Sequence, residues 1–215
     1  QSVVELALSF LRGELPDERV AREEQELHDA AEWRKAVLAK PEAERTRRDQ
    51  MVLSGGSFLL SIGDFSYYDW ERLSITDDHQ SFWPPSPLRE PFHSLFQSSP
   101  DEALRLLREL CNHAMTAWQQ LHRYSYERRG TPIPLELTFP WGSQRFWGTD
   151  REYLWFRSMW APKAIACGFM ALEEWCFAEL ARNRPIDELI QQVVEGNECI
   201  AILGIASVIA LHSET

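Results

Sequence analysis

Two segments of this chain are apolar on nearly every side of a helix, and they constrain the fold more than any other feature. They are Ala164–Leu180 and Cys199–Leu211. A helix without a polar face has to be covered by neighbours, so both are predicted to lie between other helices. Cys199–Leu211 is clearly shorter than the roughly 20 apolar residues that a membrane span needs, which favours a buried core helix.

Helix-capping and helix-breaking residues predict further helices around these two. Ser99 and Pro100 begin the clearest one, which is predicted to reach Tyr126 with a broad apolar face. The other predicted helices are Val3–Leu11, Pro16–Lys40, a short one from Pro41, Asp150–Trp160, Pro162–Asn183, Ile186–Val194 and Asn197–His212. No strong strand is predicted, and Thr131–Pro140 has short extended character at best. The predicted fold class is all-α, an irregular helical bundle or α-solenoid-like array of antiparallel helices.

Composition along the chain predicts three consecutive parts. Residues 1–63 form a helical segment with one long charged helix, and residues 64–98 form an irregular connector rich in proline and aromatic residues. Residues 99–215 form the helical-repeat-like core. The chain starts at Gln1 and ends just after an apolar helix, so we expect it to be a segment of a larger protein.

Charge and cysteine content limit the classes of partner and compartment. The chain has 33 acidic and 22 basic residues, a formal net charge of -11. Such a surface disfavours general binding to nucleic acid or anionic membranes, because phosphates are repelled. The four cysteines are Cys111, Cys167, Cys176 and Cys199, each within an apolar helical pattern. We expect reduced, buried thiols and a cytoplasmic protein that does not bind a membrane.

Several sequence patterns that could indicate a catalytic or metal-binding site lack a residue or a spacing that such a site requires. The motifs GxSxG, HExxH, CxxC and GxGxxG do not occur in the sequence. Ser54–Ser57 is glycine-rich but lacks the lysine of a phosphate-binding loop. The adjacent residues Asp77–His79 cannot readily converge on one metal ion, and Cys111 and His113 point apart on a helix. We therefore expect no catalytic residue, no metal site and no cofactor.

The aromatic region between the predicted connector and the apolar helices contains the strongest candidates for an interaction site. Between residues 140 and 163 there are four basic and two acidic residues, although the whole chain is acidic. The candidates are Arg145, Trp147, Arg151, Tyr153, Trp155, Arg157 and Trp160. Such residues can fill gaps between helices, form a protein or peptide interface, or stack nucleic-acid bases.

Glu173 and Glu174 support a different hypothesis. They lie beside Trp175 within an apolar helix. A buried carboxyl group has a raised pKa and can act in acid–base chemistry. A helical-fold enzyme with an acidic pocket at these residues is therefore one alternative, and a nucleic-acid-binding domain using the cluster between residues 145 and 160 is another.

Two stretches, Ser86–Trp118 and Ile186–Leu211, resemble the helical (HEAT- or TPR-like) region of large bacterial STAND-type P-loop NTPases. Some members of that family act in anti-phage defence. The two stretches cover roughly a quarter of the 215 residues. The sequence has no Walker motif, so the resemblance implies a sensor or scaffold segment and carries over no catalytic residue.

These observations together predict a non-catalytic helical interaction or scaffold module of a larger cytosolic bacterial protein. The expected partner is a protein or other domains of the same chain, and oligomers are expected to form through the parent protein. Nucleic acid is a disfavoured partner because of the net charge.

Overall fold

A computed structural model of the chain describes residues 2–54, 62–76, 79–124 and 132–213. The structure is mostly helical, with 68% helix and a small two-stranded sheet, so the all-α expectation is confirmed at that level. Within the described ranges, no helix is both long enough and apolar enough to cross a membrane. Most of the Ser54–Ser57 loop and of Asp77–His79 lies outside these ranges, as does the predicted helix end at Tyr126.

The helices and strands follow the chain in this order: α1 Val3–Leu11, α2 Pro16–Ala39, a 3-10 helix Glu42–Glu44, α3 Arg47–Ser54, α4 Tyr67–Arg72, α5 His79–Phe82, α6 Phe92–Ser98, α7 Pro100–Tyr124, β1 Leu135–Phe139, β2 Gly142–Phe146, α8 Asp150–Tyr153, a 3-10 helix Leu154–Arg157, α9 Lys163–Ala181, α10 Ile186–Val194 and α11 Ala201–Ser213. The helices α1 and α10 have their predicted bounds, and α2, α9 and α11 differ from prediction by a few residues at one or both ends. α7 starts at Pro100, directly after the predicted cap Ser99. The predicted helix Asp150–Trp160 divides into α8 and the 3-10 helix.

The chain forms two compact units, and their boundaries differ from the predicted division. Unit 1 comprises Gln1–Gly13 and Phe65–Thr215, and unit 2 comprises Glu14–Asp64. The second boundary lies next to the predicted one at residue 63. The first helix, however, belongs to unit 1, because Val4, Leu8 and Leu11 are buried and α1 packs on α7.

The core of unit 1 is built around α9. This helix packs against α5, α6, α7, α11 and the 3-10 helix Leu154–Arg157. Ala164–Phe169 is buried continuously, as expected for a helix with no polar face. Gly168 allows the close approach of α6 and α7, because a Cβ there would lie 2.7 Å from Leu107 Cδ1 and 3.0 Å from Phe92 Cε1.

The predicted connector, residues 64–98, is part of this core rather than an irregular linker. It contains α4, α5 and α6, and its buried side chains include Leu73, Ile75, Phe82 and Phe92. Of its aromatic residues, Phe82 is buried, whereas Tyr68 and Trp83 have 66% and 55% of their surfaces exposed.

The expectation that the chain has no strong strand is wrong, because β1 and β2 form an antiparallel hairpin. The register pairs Leu135 with Phe146 and Phe139 with Gly142. The turn is possible because Gly142 has φ +136°, a conformation that side-chain-bearing residues rarely adopt. Beyond β2, the Trp147 N–H donates to the Glu198 carbonyl at 2.6 Å, and this bond ties the hairpin to the loop before α11.

Unit 2 consists of a charged helix and a short helix joined by a polar turn. Along α2, the Arg22 guanidinium pairs with Glu14 at 2.8 Å and with Glu26 at 2.9 Å. The turn centres on buried Asp49, which accepts bonds from Thr46 N at 2.9 Å and Lys40 Nζ at 3.1 Å. The Thr46 N–H and the Lys40 ammonium both hold the pKa of Asp49 below its usual value.

The two apolar faces of α1 give a matched test of this packing. Leu8 faces α7 with 3% of its surface exposed, whereas Leu6 is 49% exposed. Leu8→Ala is expected to lower the free energy of unfolding by about 2–5 kcal/mol, because it leaves a cavity. Leu6→Ala is expected to cost less than about 1 kcal/mol. Urea unfolding followed by circular dichroism measures both, and equal losses would contradict the placement of α1.

Candidate functional site

The segment between β2 and α9 is held in place by one glycine and one buried carboxylate. Gly148 has φ +120°, and a Cβ there would lie 2.8 Å from both Glu152 Cβ and Ile200 Cγ2. The Glu152 carboxylate accepts bonds from Thr149 N at 2.8 Å and Thr149 Oγ1 at 2.6 Å. This reciprocal capping box starts α8 at Asp150 and fixes where the residues that follow it lie.

Trp155 anchors the segment in the core. Only 1% of its surface is exposed, and the 3-10 helix that carries it packs on α9 and α11. The ring of Phe156 lies so close to Gly204 of α11 that no Cβ fits there. Past the 3-10 helix, Ser158 and Trp160 have φ of 59° and 62°. These left-handed residues end the predicted helix early.

The structure places the seven predicted interaction residues in different surroundings. Arg145 lies on β2 and pairs with Glu136 of β1 at 2.7 Å. Trp147 is half-buried beside the loop that precedes α11. Tyr153 packs edge-on against Phe156, with ring centroids 5.2 Å apart.

Two of the seven are removed from the candidate surface by their contacts. Trp155 is buried and unable to reach a partner in this structure. Arg157 pairs with Glu173 at 3.3 Å and stacks on Phe156 at 4.9 Å. Trp155 is packed in the core, whereas the Arg157 side chain is 52% exposed and is held by these two contacts at the surface.

Arg151 and Trp160 come together, and α4 brings a third partner to them. The Arg151 guanidinium carbon lies 5.2 Å from the centre of the Trp160 ring and 6.0 Å from that of Tyr67. On the same short helix, the Arg72 guanidinium carbon lies 5.9 Å from the Tyr68 ring. These five residues, Tyr67, Tyr68, Arg72, Arg151 and Trp160, are called the aromatic–arginine surface below.

The three rings of this surface are each more than half exposed. Tyr67, Tyr68 and Trp160 have 58%, 66% and 54% of their surfaces accessible. An apolar ring that points into solvent with a cation above it gains up to about 1 kcal/mol from the stacking, without being covered. The surface therefore has aromatic area still available for contact.

Sequence reasoning missed Tyr67, Tyr68 and Arg72. The available signal was the pattern Ser66–Asp69, in which the Ser66 N–H donates to the Asp69 carboxylate at 2.6 Å. Such a pair starts a helix and sets both tyrosines in its first turn. That Tyr67 meets Arg151 depends on the tertiary fold of unit 1.

The acidic residues of the enzyme hypothesis lie near a cleft between α6 and α9. Glu173 is paired with Arg157. Glu174, which is exposed, lines a cleft of about 300 Å³ together with His93 and Glu179. Glu179 is bonded to Arg182 at 2.6 Å and Arg184 at 3.3 Å. Neither Glu173 nor Glu174 is buried, so neither side chain is the buried carboxyl group that the enzyme hypothesis requires.

The cysteines are buried and chemically quiet. Cys111, Cys167, Cys176 and Cys199 are all free thiols. Burial raises the pKa of Cys111 well above its usual value and also raises that of Cys176, so both stay protonated at neutral pH. His113 does not activate Cys111, because its Nε2 bonds to the Gly13 carbonyl at 3.1 Å. Over the described residues, no group of three or more His, Cys, Asp or Glu side chains could hold a metal ion.

A second concave feature of unit 1 is an apolar groove beside α1. Its volume is about 550 Å³. Val3, Leu6 and Phe10 line it from α1, and Glu90 is its charged lining residue. The Glu90 carboxylate accepts bonds from Ser94 Oγ at 2.6 Å and Ser94 N at 3.2 Å. The groove offers apolar contact but none of the paired cations and rings of the aromatic–arginine surface.

No protein-family model, curated protein or solved structure matches the chain.

Two tryptophans in the same segment test the division between core and surface. Trp155→Ala is expected to lower the free energy of unfolding by about 3–5 kcal/mol, because the ring is fully buried. Trp160→Ala is expected to change it by less than about 1 kcal/mol. The measurement is urea unfolding of both variants beside the parent chain. A large loss from Trp160→Ala would mean that the ring is structural rather than available.

Proposed function

We propose that this chain is a non-catalytic protein-interaction module that binds a partner through the aromatic–arginine surface. One observation carries the proposal: the guanidinium of Arg151 stacks on the exposed rings of both Tyr67 and Trp160. Trp, Tyr and Arg are the residues most enriched among those that dominate protein–protein binding energy. Trp and Tyr bury a large area with only two rotatable side-chain bonds, and Arg offers five N–H donors in a planar group.

The elements beneath the aromatic–arginine surface hold its side chains in place before a partner binds. Trp155 is locked in the core five residues before Trp160, and the Glu152 carboxylate fixes the start of α8 beside Arg151. Side chains that are ordered before binding lose less entropy when a partner arrives, which increases affinity. The stacked guanidinium is ordered in the same way by its two rings.

The alternatives have less support. The acids of the enzyme hypothesis are paired or exposed, as described for Glu173 and Glu174. A nucleic acid would meet a chain with a net charge of -11, and its phosphates would be repelled by most of that charge. A protein partner requires only local complementarity at the surface.

The proposal extends to the setting of the module. The packed helices of unit 1 are compatible with an α-solenoid-like segment of a larger protein, such as the helical region of a STAND-type NTPase. In that setting the module is a scaffold or sensor that helps to assemble the parent protein. The four free, buried thiols fit a reducing, cytoplasmic compartment.

Affinity capture with matched variants tests the proposal. The immobilised chain is incubated with a bacterial lysate, and captured proteins are measured by quantitative mass spectrometry. Arg151→Ala/Trp160→Ala is expected to reduce specific capture at least about tenfold, because it removes two residues of hot-spot type. Circular dichroism checks that the variant is folded.

The control variant is Arg145→Ala/Trp83→Ala. It also removes one exposed arginine and one exposed tryptophan of unit 1, but neither belongs to the aromatic–arginine surface. It is expected to capture the same proteins as the parent chain. If both double variants reduce capture equally, or if neither does, the proposed function is wrong.

A further inference from the structure

We infer that the partner of the aromatic–arginine surface is an acidic peptide segment, with carboxylates at Arg151 and Arg72 and an apolar side chain on the neighbouring rings. The inference rests on the proposed function and adds the chemistry of the partner. It follows from how the arginines of unit 1 are paired.

Several exposed arginines of unit 1 are neutralised by ion pairs within the chain. Arg12 pairs with Glu109 at 2.7 Å, Arg145 with Glu136 at 2.7 Å, and Arg157 with Glu173 at 3.3 Å. No carboxylate among the described residues pairs with Arg72 or Arg151. In a chain with 33 acidic and 22 basic residues, two arginines that lie against rings instead of acids offer positive charge to an external anion.

The chemistry of a stacked guanidinium favours a carboxylate as that anion. A guanidinium that lies against an aromatic ring keeps N–H donors in its own plane, and these match the two oxygens of a carboxylate. The adjacent rings exclude part of the water, which strengthens the pair relative to one in free solution. The exposed area of Tyr68 and Trp160 then gives an apolar side chain next to the acid a place to pack.

The acids on the same elements limit how much negative charge the surface accepts. Asp69 and Glu152 are bonded to the backbone N–H groups that start α4 and α8. Glu71 and Asp150 lie next to Arg72 and Arg151 in the sequence and carry their own negative charge. A polyanion with a phosphate on every unit would be repelled by these acids. A peptide with a few separated carboxylates can place them at the two arginines without bringing further negative charge close to the acids.

Fluorescence anisotropy with defined probes tests the inference. The first probe is a labelled short peptide with Asp and Glu around one Phe and one Leu. In the second probe, Asn and Gln replace these acids, and the third is labelled oligo-dT of similar length. The full chain is expected to bind the acidic peptide at least about tenfold more tightly than either other probe.

Arg151→Ala and Arg72→Ala are each expected to weaken binding of the acidic peptide by about tenfold. Arg48→Ala is the matched control. Arg48 also stacks on an exposed tryptophan, Trp33, at 5.3 Å, but in unit 2 and with one ring. Its loss is expected to leave the affinity unchanged.

The outcomes separate this inference from the proposed function. Equal, Arg151-dependent binding of the acidic and amide peptides would overturn the acidic preference and leave the interaction surface standing. Tighter Arg151-dependent binding of oligo-dT would overturn both in favour of a nucleic acid. Lack of binding by the acidic peptide overturns the inference, and the capture experiment then decides the proposed function independently.

Discussion

The packing of unit 1 depends on the burial of α9, a helix with no polar face to leave in water. Five other elements cover it, among them α6, α7 and α11. At about 25 cal/mol per Å² of apolar surface removed from water, this burial is the main stabilising term available to an α-helical unit. Every residue of α9 from Ala164 to Phe169 is buried. Each covering element is therefore fixed in position by the need to exclude water from α9.

That constraint also produces the exposed surface. The 3-10 helix Leu154–Arg157 covers α9 by inserting Trp155, and the chain then leaves the core through the left-handed residues Ser158 and Trp160. α4, meanwhile, packs on α7 and presents Tyr67 to Arg151. The core thus positions the Arg151 guanidinium against the rings of Tyr67 and Trp160, and the proposed function rests on this arrangement.

Much of the helical framework could be predicted from the sequence, because it depends on local signals. The proline starts, the glycine stops and the apolar period gave α1 and α10 their bounds, and the predicted face of α7 is the buried face. The hairpin was missed because its turn depends on one glycine, Gly142, at positive φ. The helix Asp150–Trp160 was predicted too long because tertiary packing on α11 favours the tighter 3-10 turn over local propensity. Two residues of the aromatic–arginine surface, Arg151 and Trp160, were among the predicted candidates. Tyr67 was not, because it meets them through contacts that are distant in sequence, which a single sequence does not report.

Hydrogen–deuterium exchange of the full chain, with and without the acidic peptide, tests the central claim most directly. Backbone amides report local opening, so a bound segment slows exchange where it packs. We expect slower exchange in the fragments that contain Tyr67–Arg72 and Asp150–Trp160, and unchanged exchange in the hairpin Leu135–Phe146. Protection confined to the groove beside α1, or to the cleft at Glu174, would contradict the assignment of recognition to the aromatic–arginine surface.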